Sequence, residues 1–315
     1  MVSAMLRTLL VSLLLLPSAL SAAPASRHIA LPDRLRDPHA GTLVVSHRGC
    51  WMLAAENSIA GIDACIAHGI DMVEVDLRTT RDGQLVLMHD ERVDRTTNGE
   101  GAVADLTAVQ IESLHIRAEG GGAQAAVTAW HPPTFAQALA AAYGKTLINL
   151  DIKAASLDQM MDEVQAAGAQ RDVLMNVPLD APASAIERAH RAGIALQVLY
   201  EQRQSQHTPE QAFRMAAAMQ PAALQLMFDD ISVIDSARRI SHGQIRLFVN
   251  TMSNDIASGT PMNLSGDFTD ARALRAPNAI WGALRARGIS MIQTDQPLRL
   301  VQYLRSADRT SAADS

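Results

Sequence analysis

The chain has 315 residues, 48% of them hydrophobic, and a formal net charge of −6. That length and apolar content suffice for one sizeable core. The acidic balance and the lack of a long basic stripe argue against nucleic acid or an anionic lipid surface as partner.

Residues 1–22 read as a signal peptide. Arg7 is their lone charge, Leu9-Leu10-Val11 and Leu13-Leu14-Leu15-Leu16 form an apolar core, Pro17 breaks it, and Ser21-Ala22-Ala23 offers small residues for cleavage. The run is short for a spanning helix, which needs about 20 residues. The expectation is an exported protein, periplasmic or secreted, with no stable membrane insertion after cleavage. Residues 23–40 read as an N-terminal extension, 41–305 as one domain and 306–315 as a tail, with Pro24–His39 and Ser306–Ser315 expected to be loosely ordered.

From residue 42 onward, short apolar runs alternate with helical patterns. Candidate strands are Thr42–Ser46, Met72–Asp76, Leu147–Asp151, Val173–Val177, Leu196–Tyr200, Leu224–Phe228, Arg246–Asn250 and Ser290–Thr294. Helical patterns separate most of them: Ser58–His68, Phe135–Ala142, Leu157–Ala167, Pro182–Ala192, Pro209–Met219, Ile231–Ile240 and Asn278–Arg287. Several end at glycine, the usual left-handed stop. The strand runs are continuously apolar, as strands buried on both faces should be. Strands that alternate with helices in this way predict a (β/α)8 TIM barrel. Two long segments interrupt the repeat. One is the excursion 77–134 after the second strand, which carries its own strand-like run Gln84–His89. The other is the loop Met252–Ala276. Loops of this length in a compact domain are usually functional or mobile. Cys50 follows the first strand and Cys65 lies on the next helix. Export permits a disulfide, but Cys65 shares an apolar stripe with Ile62 and Ile66, where a free buried cysteine is common. The unpaired state is therefore expected, with pairing left open.

In such barrels the reactive groups sit at the C-terminal ends of the strands. His47, Arg48, Glu74, Asp76, Asp151, Lys153, Glu201, Asp229, Asn250, Thr294 and Asp295 all fall there. Glu74 and Asp76 are two apart and leave the same face of their strand. Two carboxylates that close repel unless a cation lies between them. Oxygen ligands suit Mg²⁺ or Ca²⁺, and Asp151 can complete the set. His47 and His89 can serve as base and acid on opposite sides of a phosphorus centre. Arg48 offers a planar fork for phosphate oxygens. Lys153 either balances the carboxylates or touches the phosphate. Glu56 opens the first barrel helix with Asn57 and Ser58, and can orient Arg48 or a histidine.

The ordered motifs His47-Arg48-Gly49, Glu56-Asn57-Ser58, Val73-Glu74-Val75-Asp76-Leu77, Asp82 through Asp90, Arg95-Thr96-Thr97-Asn98-Gly99, Pro133-Thr134-Phe135, Asn149-Leu150-Asp151-Ile152-Lys153 and Gln293-Thr294-Asp295-Gln296-Pro297 resemble those of the glycerophosphodiester phosphodiesterase family, a TIM barrel of the phosphatidylinositol-phosphodiesterase type. The resemblance covers nearly the whole chain after the signal peptide. It implies His47 and His89 as the catalytic pair, a divalent metal, Ca²⁺ or Mg²⁺, on Glu74, Asp76 and Asp151, and phosphoryl contacts from Arg48 and Lys153. It implies a small-molecule diester and water as substrates, and glycerol 3-phosphate and an alcohol as products. The chain departs from the family pattern in four places. Ala55 replaces a usual proline, Asp151 a frequent glutamate, and Asn250-Thr251 a usual tryptophan-threonine pair. The loop Met252–Ala276 is longer than in the simplest members, and Asp267 and Asp270 within it have no assigned role. Two rivals are a phospholipase D-like enzyme acting on lysophospholipids or sphingolipids and a catalytically silent binding protein on the same scaffold.

Overall fold

Nine strands alternate with helices through residues 30–313, the part of the chain that the computed structural model describes. The expected signal peptide lies outside the described residues. The strands are β1 (Leu43–Ser46), β2 (Met72–Thr79), β3 (Leu85–Leu87), β4 (Leu147–Ala154), β5 (Val173–Val177), β6 (Ala195–Glu201), β7 (Ala223–Met227), β8 (Arg246–Asn250) and β9 (Ile289–Thr294). All but β3 are parallel in the order β1-β9-β8-β7-β6-β5-β4-β2, and pairing of Val45 with Met72 closes the ring. This is the expected eight-stranded TIM barrel. β3 adds as an antiparallel edge on β2, with Leu77 opposite Leu87 and Thr79 opposite Leu85. That pairing, together with Arg78 opposite Ala154, carries β2 and β4 beyond the ends expected at Asp76 and Asp151.

Several of the helices start on side-chain caps. Ser58 accepts from the Gly61 amide, and Thr134/Gln137 and Thr208/Gln211 form reciprocal capping boxes. The apolar faces of the helices pack on outward strand residues such as Val75, Leu150, Val198 and Val249. Strand residues of the other parity point into the barrel. Its lower interior is apolar: Leu43, Val45, Met72, Leu147, Leu174, Phe248 and Met291. Its upper interior is polar, as the site requires.

Residues 24–39 and 306–315 are not the loose tails expected, as far as they are described. Leu31–Arg36 is a helix whose Leu35 plugs the lower barrel with no exposed surface. Fully buried Arg246 donates to the backbone carbonyls of Arg34, Leu35, Asp37, Gly41 and Ser290. Burial lowers its pKa to about 10, so the guanidinium stays charged, and the C-terminal carbonyls of that helix stabilise it. The last helix, Pro297–Ala313, runs on through Ser306. The expectation rested on terminal position, which does not register that an open barrel end exposes an apolar floor.

The excursion after β2 folds onto a small core of its own, Val86, Met88, Val93, Val103 and Ile111. Cys50 and Cys65 form a disulfide, with Cα atoms 5.4 Å apart, against the expected unpaired state. Cys65 does face the core, but the turn after β1 folds back over the helix Ile59–Ala67 and brings Cys50 to it. Among the described residues, no helix is long and apolar enough to cross a membrane.

Candidate active site

The chain leaves β1 in a tight turn. Arg48 adopts a left-handed conformation (φ 48°), uncommon for a side chain of its size. Gly49 follows at φ 75°, and its amide donates to the Glu74 carbonyl at 2.9 Å. The left-handed backbone at Gly49, not a lack of space, is what favours glycine there. This turn aims Arg48 inward instead of along the strand. Its guanidinium is 1% exposed. Nη1 meets Glu56 at 3.2 Å, and Nε lies 3.7 Å from Asp76. Glu56 also accepts from Arg95, which in turn donates to Asp90. The supporting role expected of Glu56 therefore falls on arginines, not on a histidine.

Two histidines line one cavity of about 140 Å³ with Arg48, Glu74, Asp76, Asp151 and Lys153. The His47 Nδ1 lies 2.9 Å from Asp295 and the His89 Nδ1 lies 2.8 Å from Asp90. A carboxylate on Nδ1 selects the tautomer that carries its proton there and leaves Nε2 free for chemistry. Asp295 also accepts from the Trp51 indole at 2.7 Å. Asp90 is held well below the usual carboxylate range: burial opposes this, but His89 and Arg95 outweigh it.

Glu74, Asp76 and Asp151 each offer an oxygen, and the three oxygens lie within 4.8 Å of one another. Burial, then the charges of Asp76 and Asp151, push the Glu74 carboxyl well above its ordinary range. Asp76 is also buried, but Lys153 and Arg48 hold it at about 2. Glu74 Oε2 accepts from the Arg48 amide at 2.8 Å and from Gln293 at 3.2 Å, whereas its buried Oε1 has no partner among the described residues. An orphaned buried oxygen beside two carboxylates fits a bound metal ion, whose charge would relieve the repulsion. Asp151 reaches this group although its side chain is short. Lys153 sits against the set, 2.9 Å from Asp151 and 3.3 Å from Asp76. Of its two expected roles, the charge-balancing one is visible.

Beneath the carboxylates lies a floor of amides. Asn149 donates to Gln197, Gln197 to Gln225, and Gln225 to Asn250, at 2.9, 2.6 and 2.8 Å. Position 250, where an aromatic wall was missing from the sequence pattern, thus ends a polar chain. The loop after β8 roofs the cavity with Met252, Asp255, Met262 and Leu264.

Not every rim residue joins the site. Asp229 forms an exposed ion pair with Arg203, and Glu201 accepts from Gln204. Sequence reasoning left several contributors without a place in the site. Asn57 clamps Asp76, its Nδ2 donating to the carboxylate at 2.7 Å and its Oδ1 accepting from the Asp76 amide at 3.0 Å. Its position beside the Ser58 cap concealed that role. Asp270 accepts from the Thr251 and Thr294 hydroxyls and from the Asp295 amide. Asp255 and Arg95 likewise show no local signal beyond polarity, although Arg95 falls inside a quoted motif, whereas Asp295 was expected at the rim without a partner and is found behind His47.

Residues 47–299 match the glycerophosphoryl diester phosphodiesterase family. A glycerophosphodiester phosphodiesterase from Caldanaerobacter subterraneus is 49% identical over 73 residues, 23% of this chain and 30% of that protein. The chain spans under a third of the length of the curated relatives it matches first. Among solved structures, a glycerophosphoryl diester phosphodiesterase from Parabacteroides distasonis superposes with a TM-score of 0.66 at 18% identity, covering 89% of this chain and 93% of that one. A phosphodiesterase from Oleispira antarctica, in complex with its product sn-glycerol-3-phosphate, gives a TM-score of 0.58 at 19% identity, covering 84% and 97%. At these identities the structural likeness speaks for the fold, whereas the family match extends over most of the chain. The chain belongs to the glycerophosphoryl diester phosphodiesterase family.

Proposed function

We propose that this chain hydrolyses glycerophosphodiesters to glycerol 3-phosphate and an alcohol. The observation that carries this is the pair of carboxylate-backed histidines facing one small cavity together with an acidic trio. His47, its Nδ1 proton held by Asp295, has a free Nε2 to take the proton of the attacking hydroxyl, which belongs to water or to the substrate's own glycerol 2-hydroxyl. His89, its Nδ1 held by Asp90, delivers an Nε2 proton to the oxygen of the leaving alcohol. Histidine suits both tasks near neutral pH. Arg48 binds phosphoryl oxygens through the part of its guanidinium that Glu56 does not occupy. Lys153 holds positive charge beside Asp76 and Asp151. These two carboxylates and Glu74 would hold a divalent cation, Ca²⁺ or Mg²⁺, which supplies Lewis-acid charge to the phosphoryl group when bound.

The cavity is small and roofed, which favours a compact soluble diester over a lysophospholipid or sphingolipid. The disulfide suits an oxidising compartment and supports the expected export to the periplasm or beyond. The charge of −6 supports a small-molecule partner over nucleic acid. A panel of glycerophosphodiesters and lysolipids, assayed with Ca²⁺, Mg²⁺ and chelator, tests the reading. Release of glycerol 3-phosphate that chelator abolishes is expected. Lipid head-group release without soluble-diester turnover would favour the phospholipase D-like rival, and cation binding with no turnover the silent one.

A further inference from the structure

One charged group in the cavity has no part in that scheme. Asp255 stands on the roofing loop, 28% exposed, and lines the cavity with Arg48 and His89. Its placement is built. The segment pairs back on itself at Asn254 and Pro261, and the Asp255 amide donates to the Thr260 carbonyl at 2.8 Å. Next to it, Ile256 packs on Gly120 of the excursion so closely that a Cβ at Gly120 would collide with it. Asp255 Oδ1 accepts from both the amide and the hydroxyl of Ser258 at 2.8 Å. Oδ2 lies 4.0 Å from Arg48 Nη2, too far for a hydrogen bond. One carboxylate oxygen is thus anchored and the other is free beside the proposed phosphate grip. The group stays ionised: partial burial opposes this, but the Ser258 bonds and the charges of Arg48 and His89 keep its pKa low.

An anion here works against an anionic substrate. The cavity lining holds four carboxylates (Glu74, Asp76, Asp151, Asp255) against Arg48 and Lys153. A divalent cation on the trio would offset Glu74, Asp76 and Asp151 but does not reach the free oxygen of Asp255 across the cavity. A diester with a neutral alcohol, held by Arg48, sets its phosphate against the Asp255 carboxylate with nothing between them, whereas a zwitterionic diester offers that carboxylate a cation. We propose that Asp255 is a specificity-determining residue that receives the cationic group of the leaving alcohol, so that the preferred substrates are phosphodiesters of short aminoalcohols. This rests on the hydrolytic reading above. Arg48 Nη2 takes the phosphate oxygen and Asp255 Oδ2 the ammonium, which a short aminoalcohol holds next to the phosphate. His89, beside Asp255, is already assigned to the leaving oxygen.

The test compares kcat/KM for glycerophosphoethanolamine and glycerophosphocholine with that for glycerophosphoglycerol, in the full-length protein and in Asp255→Asn and Asp255→Glu. Asparagine keeps the bonds to Ser258 and removes only the charge. The expected result is a preference of the wild type for the cationic diesters of roughly five- to tenfold, the size of a partly screened ion pair. Asp255→Asn should collapse it, mainly through KM, and Asp255→Glu should keep part of it. Equal turnover of cationic and neutral diesters by the wild type overturns the assignment. So does a loss in Asp255→Asn that is the same for both, which would mean that Asp255 only braces Arg48. If the wild type hydrolyses none of the three, the hydrolytic reading itself falls, and the assignment with it.

Discussion

Asp270 holds Asp295 in place: its Oδ2 accepts from the Asp295 amide at 2.8 Å, while the Asp295 side chain holds His47 Nδ1 at 2.9 Å. A loop carboxylate therefore acts two bonds away from the proposed base, through a strand end. It also introduces a titration into the buried rim. Burial raises the Asp270 pKa to about 7, against the pull of the Thr251 and Thr294 hydroxyls and the Asp295 amide.

The pH dependence follows from that shift. In the unfolded chain an aspartate titrates near 3.9. Between about pH 4 and pH 7 the folded state keeps a proton that the unfolded state has released. Asp270 therefore subtracts stability as pH rises through this window, and its effect levels off above about 7. Asp270→Asn cannot titrate, so its stability relative to wild type should improve from about pH 5 to about pH 7 and level off above that. Urea unfolding of both proteins across that range checks this. Parallel stability curves would show that Asp270 is not a buried titrating acid.

Replacing either His47 or His89 by alanine should lower kcat by roughly 10²–10⁴-fold, the usual size of a lost general acid or base. Neither ring is part of the apolar core, so thermal stability should change little. Steady-state kinetics on a turned-over diester decides the matter. Full turnover in either variant removes that residue from the acid–base pair.

The orphaned Glu74 Oε1 predicts a direct metal signature. Ca²⁺ or Mg²⁺ should raise the thermal unfolding midpoint of the wild type, because a ligand that binds only the folded state stabilises it by mass action. Glu74→Gln should abolish the shift. Asn57→Ala should weaken cation affinity by about 10–100-fold, since Asn57 orients Asp76. An unaltered metal-induced shift in Glu74→Gln would exclude this carboxylate as a ligand.

The disulfide closes a loop of sequence separation 15, which begins just after His47 and Arg48. Converting both Cys50 and Cys65 to alanine should cost roughly 2–4 kcal/mol of unfolding free energy, mostly through the freer unfolded chain. Denaturant titration measures it. A loss within error of zero would mean that packing alone holds the turn against its helix.

Much of the architecture is legible in local patterns. The predicted strands coincide with β1, β2 and β4–β9 to within a few residues, because continuous apolar runs mark strands buried on both faces. Glu74 and Asp76 share a face by strand periodicity alone. The misreadings have one physical origin. Leu35 and Ser306 lie near the chain ends, where loose order is the usual expectation, and Cys50 lies in a turn. Leu35 fills a floor built from strands spread over the whole chain, and Cys50 meets Cys65 only because the turn folds back on the helix that follows it.

By itself, the sequence determined the repeat of strand and helix, the polarity of the barrel's rim and the identity of the groups gathered there. Periodicity of burial is written in neighbouring residues, and that is enough for these. Only the tertiary structure decided which carboxylate serves which partner: Asp295 behind His47, Asp90 behind His89, Asn57 on Asp76, Asp270 beneath Asp295, and Asp255 hanging free over Arg48. A carboxylate's role depends on distance, burial and competing donors. Those arise only when the ring closes and the two long loops fold over its mouth.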